Sequence, residues 1–129
     1  MAEAESEPEV IVDFDFEGGL LFVGVRNLGE RPALEVSTRF DKPFRGLGGA
    51  RKMNGLALFK RIEFLAPGKE IRSLLDSSAA YFARHEPTDI TVTVTYADGS
   101  GTSFKDAMHH DLGIYRDVSY VSPRRLEER

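Results

Sequence analysis

The chain has 129 residues, enough to enclose one hydrophobic core, and 41% of them are hydrophobic, too many for a disordered segment. No run approaches the ~18 consecutive apolar residues that a membrane-spanning helix needs. Cysteine is absent, which excludes disulfides, thiolate catalysis, zinc–thiolate centres and iron–sulfur clusters.

The net charge of −4 hides an uneven distribution. Residues 1–30 carry eight acids (Glu3, Glu5, Glu7, Glu9, Asp13, Asp15, Glu17, Glu30) against Arg26, whereas residues 31–72 carry ten bases against four acids. Such asymmetry steers partners or marks a surface of self-association. The acidic start lacks the positive end and apolar stretch of a secretory leader, so a cytoplasmic location is expected.

In chain order, residues 1–8 read as an acidic flexible tail. Val10, Val12, Phe14 and Phe16 then alternate with Glu9, Ile11, Asp13 and Asp15, the period-2 pattern of a strand with one buried face. Outward Asp13 and Asp15 suit an edge strand, where charge discourages pairing with another chain. Gly18-Gly19 turns into Leu20–Asn27, with Leu21, Val23 and Val25 on one face. A third strand spans Ala33–Phe40 and is expected to bury Leu34, Val36, Thr38 and Phe40 together. Residues 41–55, rich in glycine and bases, form the longest irregular connection. Lys60–Leu65 and Lys69–Leu75 flank Ala66-Pro67-Gly68, a turn in which proline presets φ and glycine supplies a positive φ.

Only Asp76–His85 reads as helical, capped by Asp76 or Ser77 and stopped by Pro87. Ile90–Tyr96 alternates large apolar residues with threonines, and Asp98-Gly99 turns it into a return strand, Thr102–His110. Residues 122–129 read as a charged tail. The resulting fold class is all-β: one domain over 9–121, an antiparallel sandwich of about seven strands with one short helix between late strands. Its buried face should comprise Val12, Phe14, Leu21, Val23, Val25, Val36, Phe40, Ile62, Phe64, Ile71, Ile90, Val92, Val94, Tyr96 and Phe104.

Three stretches carry a family resemblance. Val23-Gly24-Val25-Arg26-Asn27-Leu28-Gly29-Glu30-Arg31-Pro32-Ala33-Leu34-Glu35-Val36 resembles a run in prokaryotic immunoglobulin-like adhesion modules of the CARDB-like type. Phe64-Leu65-Ala66-Pro67-Gly68 is similar to a turn of the same domains. Val94-Thr95-Tyr96-Ala97-Asp98-Gly99, with Asp111-Leu112 and Tyr115, resembles small single-domain prokaryotic proteins. The resemblance covers roughly residues 10–121 and implies an immunoglobulin-like sandwich with a binding or scaffolding role.

The candidate chemistry is sparse. Asp13-x-Asp15-x-Glu17-Gly18 imitates the start of a calcium loop, but its twelfth position is Gly24 where a bidentate glutamate belongs. His109-His110-Asp111 offers three ligand types in a row, yet adjacent strand residues point to opposite faces. His85-Glu86 lacks the second histidine of a zinc-protease motif, and no serine occupies a nucleophile elbow. No enzyme, metal or cofactor is therefore expected. Lys42, Arg45, Arg51, Lys52, Lys60 and Arg61 stand out as a binding set for an anion or acidic partner on a loop. Nucleic acid is not expected, given the acidic total charge and few aromatics among these bases. The sequence thus favours a non-enzymatic protein-binding or scaffolding module, as a monomer or weak homodimer with a protein partner it does not identify. The alternative is a small-ligand, anion or metal-binding domain using the 42–61 region or His109–Asp111.

Overall fold

The computed structural model describes residues 6–118. The 122–129 tail and the end of the 9–121 span lie outside the described residues. Seven strands form two antiparallel sheets. The first sheet orders β1 (Val10–Glu17), β2 (Leu20–Asn27) and β7 (Glu70–Ser77). The second orders β6 (Ile62–Leu65), β3 (Ala33–Phe40), β8 (Asp89–Ala97) and β9 (Ser103–Asp111). Between β3 and β6 lie a two-residue pair, β4 (Arg45–Gly46) with β5 (Arg51–Lys52), and a one-turn helix α1 (Ala57–Lys60). A second helix, α2 (Ser78–Ala83), follows β7. Buried side chains of both sheets join one cluster, so the sheets pack face to face as the alternation requires.

Local chemistry explains most boundaries. Gly18 and Gly19 both take positive φ, which permits the tight β1–β2 turn. Ser77 caps α2 by accepting from the Ala80 amide at 3.1 Å, and His85 ends that segment at φ 64°. In the β8–β9 turn the positive φ falls on Gly101, while Asp98 organises the loop by accepting from the Ser100 and Thr102 amides.

Several expected core positions are displaced. Phe64 is 60% exposed, and Leu65 enters the core instead. The cause lies in β3, where Glu35 sits at φ 53° and the pairing with β8 slips by one residue between Leu34 and Ser37. Such a bulge reverses the alternation. Ala33 and Val36, three apart, both point inward, so Leu34 and its cross-strand partner Phe64 point outward. Leu34 therefore does not share a face with Val36. Ile62, Ile71 and Phe104 are half-buried at the margin of the core rather than inside it.

The 41–55 connection is not a plain surface loop. It drives Phe44 and Met53 into the core, where Phe44 packs edge-on against Phe40 at 4.9 Å and Phe14 at 6.0 Å. Phe59 of α1 extends the aromatic cluster against Phe40 at 4.8 Å. Gly46 makes this closure possible, because a Cβ there would lie 2.1 Å from the Leu75 carbonyl oxygen.

At the opposite end, fully buried Asn27 ties four segments together. Its Oδ1 accepts from the Glu9 amide at 3.1 Å and the Gly29 amide at 2.9 Å. Its Nδ2 donates to the carbonyls of Arg31 at 2.8 Å and Leu65 at 3.1 Å. Pro8, placed in the tail by the sequence pattern, is buried beside Gly29, which approaches Glu7 and Glu9 too closely for any Cβ.

Two outcomes follow for stability. Val92→Asp should unfold the domain, since Val92 is fully buried, while Thr93→Asp, on the opposite face, should cost no more than about 1 kcal/mol; chemical denaturation separates them. Asn27→Leu leaves two carbonyls, that of Leu65 buried, and two amides without their partner, and should lower stability by about 3 kcal/mol in the same assay.

Candidate functional site

The six basic residues singled out from the sequence do not form one site. Lys42, Arg45 and Lys52 line a groove of about 510 Å³ beside Phe40, Asp41, Pro43 and Asn54. Arg45 and Lys52 are direct partners in the β4–β5 pair, which places like charges opposite one another. Lys42 is already engaged, by the Asp89 carbonyl and by the carboxylates of Asp41 at 3.8 Å and Asp89 at 3.9 Å. Arg51 and Lys60 are exposed outside this groove, and Arg61 pairs with Glu35 at 3.5 Å.

The groove is held from behind by a charge network that the sequence did not announce. Arg84 donates to Asp76 at 2.7 Å, to Glu86 at 3.4 Å and to the Arg45 carbonyl at 3.0 Å. Glu86 in turn accepts from the Arg45 amide, and Asp76 from the Gly48 amide, both at 3.0 Å. Burial opposes the Arg84 charge, but the bonds to Asp76 and Glu86 outweigh it and hold its pKa above the ordinary guanidinium value. The network staples the β4–β5 excursion to α2.

The histidines separate as strand geometry requires. His109 faces outward and contacts the exposed Asp89 carboxylate. His110 faces β1, and its Nε2 donates to the Val12 carbonyl at 2.8 Å. The carbonyl can only accept, so Nε2 carries the proton. Among the described residues no group of three or more histidine, aspartate or glutamate side chains is placed to hold a metal ion.

His110 belongs to a different device. The open side of β1, which β2 does not pair, is met by side chains of β9 and of the turn that follows it. Met108 sulfur accepts the Val12 amide at 3.3 Å, and the Tyr115 hydroxyl donates to the Phe14 carbonyl at 3.1 Å. Asp13 and Asp15 are exposed beside this edge, and the Val12 amide, the Val12 carbonyl and the Phe14 carbonyl are met by Met108, His110 and Tyr115.

β6 is one of the two edges of the second sheet, and among the described residues its one side-chain hydrogen bond to the backbone is that of Asn27 to the Leu65 carbonyl at its end. There exposed Phe64 borders a groove of about 470 Å³ lined by Leu34, Pro32, Arg31, Glu7, Asp98 and Ser100. An apolar floor with charged walls is the lining that ligand-binding pockets share. Sequence alternation missed it because the bulge at Glu35 inverts the face on which Phe64 lies.

The chain belongs to the DUF8453 family, a domain of unknown function, which it matches over residues 1–116. No curated protein and no solved structure matches it.

Burial has a titration consequence at the sheet interface. Tyr96 is buried, which together with its hydrogen bond to Asp106 at 3.0 Å pushes its phenol up to about 12. The neutral phenol is thereby favoured in the folded state. Stability from this group should be intact below about pH 10, the unfolded value, and be lost as pH rises toward 12. Thermal melts across that window should show the decline, and Tyr96→Phe should flatten it.

Proposed function

We propose that this chain is a non-enzymatic protein-binding module of the immunoglobulin-like kind, and that its contact surface is the β6 edge with the Phe64 groove. The single observation that carries this reading is Phe64, a large aromatic side chain 60% exposed on an edge strand. The strand order supports the immunoglobulin-like comparison. First, second and fifth major strands form one sheet, and the fourth, third, sixth and seventh form the other. The non-enzymatic part rests on how the polar groups are used: His109 on Asp89, His110 on Val12, and Arg84 on Asp76 and Glu86.

Among the described residues no helix is long and apolar enough to cross a membrane. A cytoplasmic setting, and a monomer or weak salt-sensitive dimer, complete the proposal. Exposed ion pairs such as Arg61–Glu35 contribute only ~0–1 kcal/mol each, too little to hold an obligate oligomer.

The test is a crosslinking capture that compares two surface variants. Phe64→Glu should abolish recovery of the specific partner without lowering the melting temperature. Leu74→Glu, a change at an exposed leucine on the edge of the other sheet, should leave recovery intact. Equal recovery with both variants would place the contact surface elsewhere.

A further inference from the structure

The outward face of the second sheet holds a recess that none of the sequence motifs marked. Arg39 of β3 lies opposite Thr93 of β8, and Ser37 lies opposite Thr95, which lies opposite Lys105 of β9. Cross-strand partners share a face, so these five side chains leave the sheet on one side. They line a recess of about 210 Å³. Arg39 and Lys105 stand at diagonal corners of the Thr93–Thr95 floor, two strand spacings across and two residues along, roughly 12 Å between Cα atoms. Their long side chains can close that gap from both sides.

The electrostatics are one-sided. No carboxylate lines the recess, and neither Arg39 nor Lys105 makes an ion pair among the described residues. Arg61, Arg72, Arg84 and Lys42, by contrast, each have an acidic partner. The Ser37 hydroxyl is committed to the Lys60 carbonyl at 3.1 Å, which leaves the hydroxyls of Thr93 and Thr95 as the free donors of the floor. Thr93 is half-buried, so a charge bound there is partly withdrawn from water and feels both cations more strongly. The larger groove at Lys42, Arg45 and Lys52 is a weaker anion site, because Asp41 lines it and Lys42 is neutralised there.

We propose that the recess between Arg39 and Lys105 binds a tetrahedral oxyanion of the phosphate or sulfate type. Two cations and two hydroxyl donors converge on a space of that size, and an oxyanion has enough acceptor atoms to meet all four. The site is independent of the Phe64 groove, which lies at the β6 edge.

The test titrates inorganic phosphate into the isotope-labelled full chain at ionic strength held constant with chloride, following backbone amide resonances. Saturable shifts are expected at Thr93, Thr95 and Lys105. Arg39→Ala and Lys105→Ala should each weaken binding about fivefold, while Lys52→Ala leaves it unchanged. A parallel titration with phosphoserine separates the sources: tighter binding than inorganic phosphate indicates a phosphate carried on a larger molecule, and equal binding indicates the free ion. Shifts that do not saturate, that survive both alanine variants, or that fall on residues 42–52 would overturn the proposal.

Discussion

A buried asparagine sets the geometry on which the rest of this sandwich depends. Asn27 ends β2 where the chain must leave one sheet and begin the other, and its amide uses all of its hydrogen-bonding capacity in doing so. Its backbone continues the tie, donating to the Lys69 carbonyl and accepting from the Gly68 amide. One residue thus fixes the approach to β1, the β2–β3 crossing, the end of β6 and the start of β7. Aspartate has nearly the same shape but no donor for Arg31 and Leu65, and a hydrophobic residue satisfies neither side. The Phe64 groove inherits its shape from this arrangement, since Glu7, Arg31 and Pro32 are all placed by segments that Asn27 holds.

The other end of the sandwich is closed by different physics. There Phe44, Met53 and Phe59 plug the opening between the sheets, and the Arg84–Asp76–Glu86 network binds the plug from outside. A half-buried ion pair adds little net stability over a well-packed apolar substitute, yet it is costly to break and specific in direction. Its contribution here is positional: it determines where the β4–β5 pair sits on β7 and therefore where Arg45 and Lys52 emerge.

Much of the strand plan was legible because alternation is a strong signal wherever one face is wet. Val12, Phe14, Val23, Val25, Val92 and Val94 are buried as their spacing indicates. The misreadings share a cause. Alternation is a local rule, and a single residue at positive φ, Glu35, reverses it at the start of β3 and at the β6 residue paired there, so Leu34 and Phe64 exchange faces with their neighbours. Residues 41–55 misled for the converse reason: glycines and bases dominate the composition, whereas two buried side chains decide the packing. The basic set was visible as a cluster in sequence, but only the fold separates Lys42, Arg45 and Lys52 from Arg51, Lys60 and Arg61, and only cross-strand register brings Arg39 and Lys105 onto one face.

The seal on β1 has a consequence for synthesis. A ribosome releases β1 long before Met108, His110 and Tyr115, so the nascent chain carries an uncovered strand edge until nearly the whole domain has emerged. Bare edges are templates for association with other unfinished chains. Quality control of this domain therefore falls on β9 and the turn after it: a chain released early, even one that had already assembled β1, β2 and β7 into a sheet, would present that edge to every neighbour.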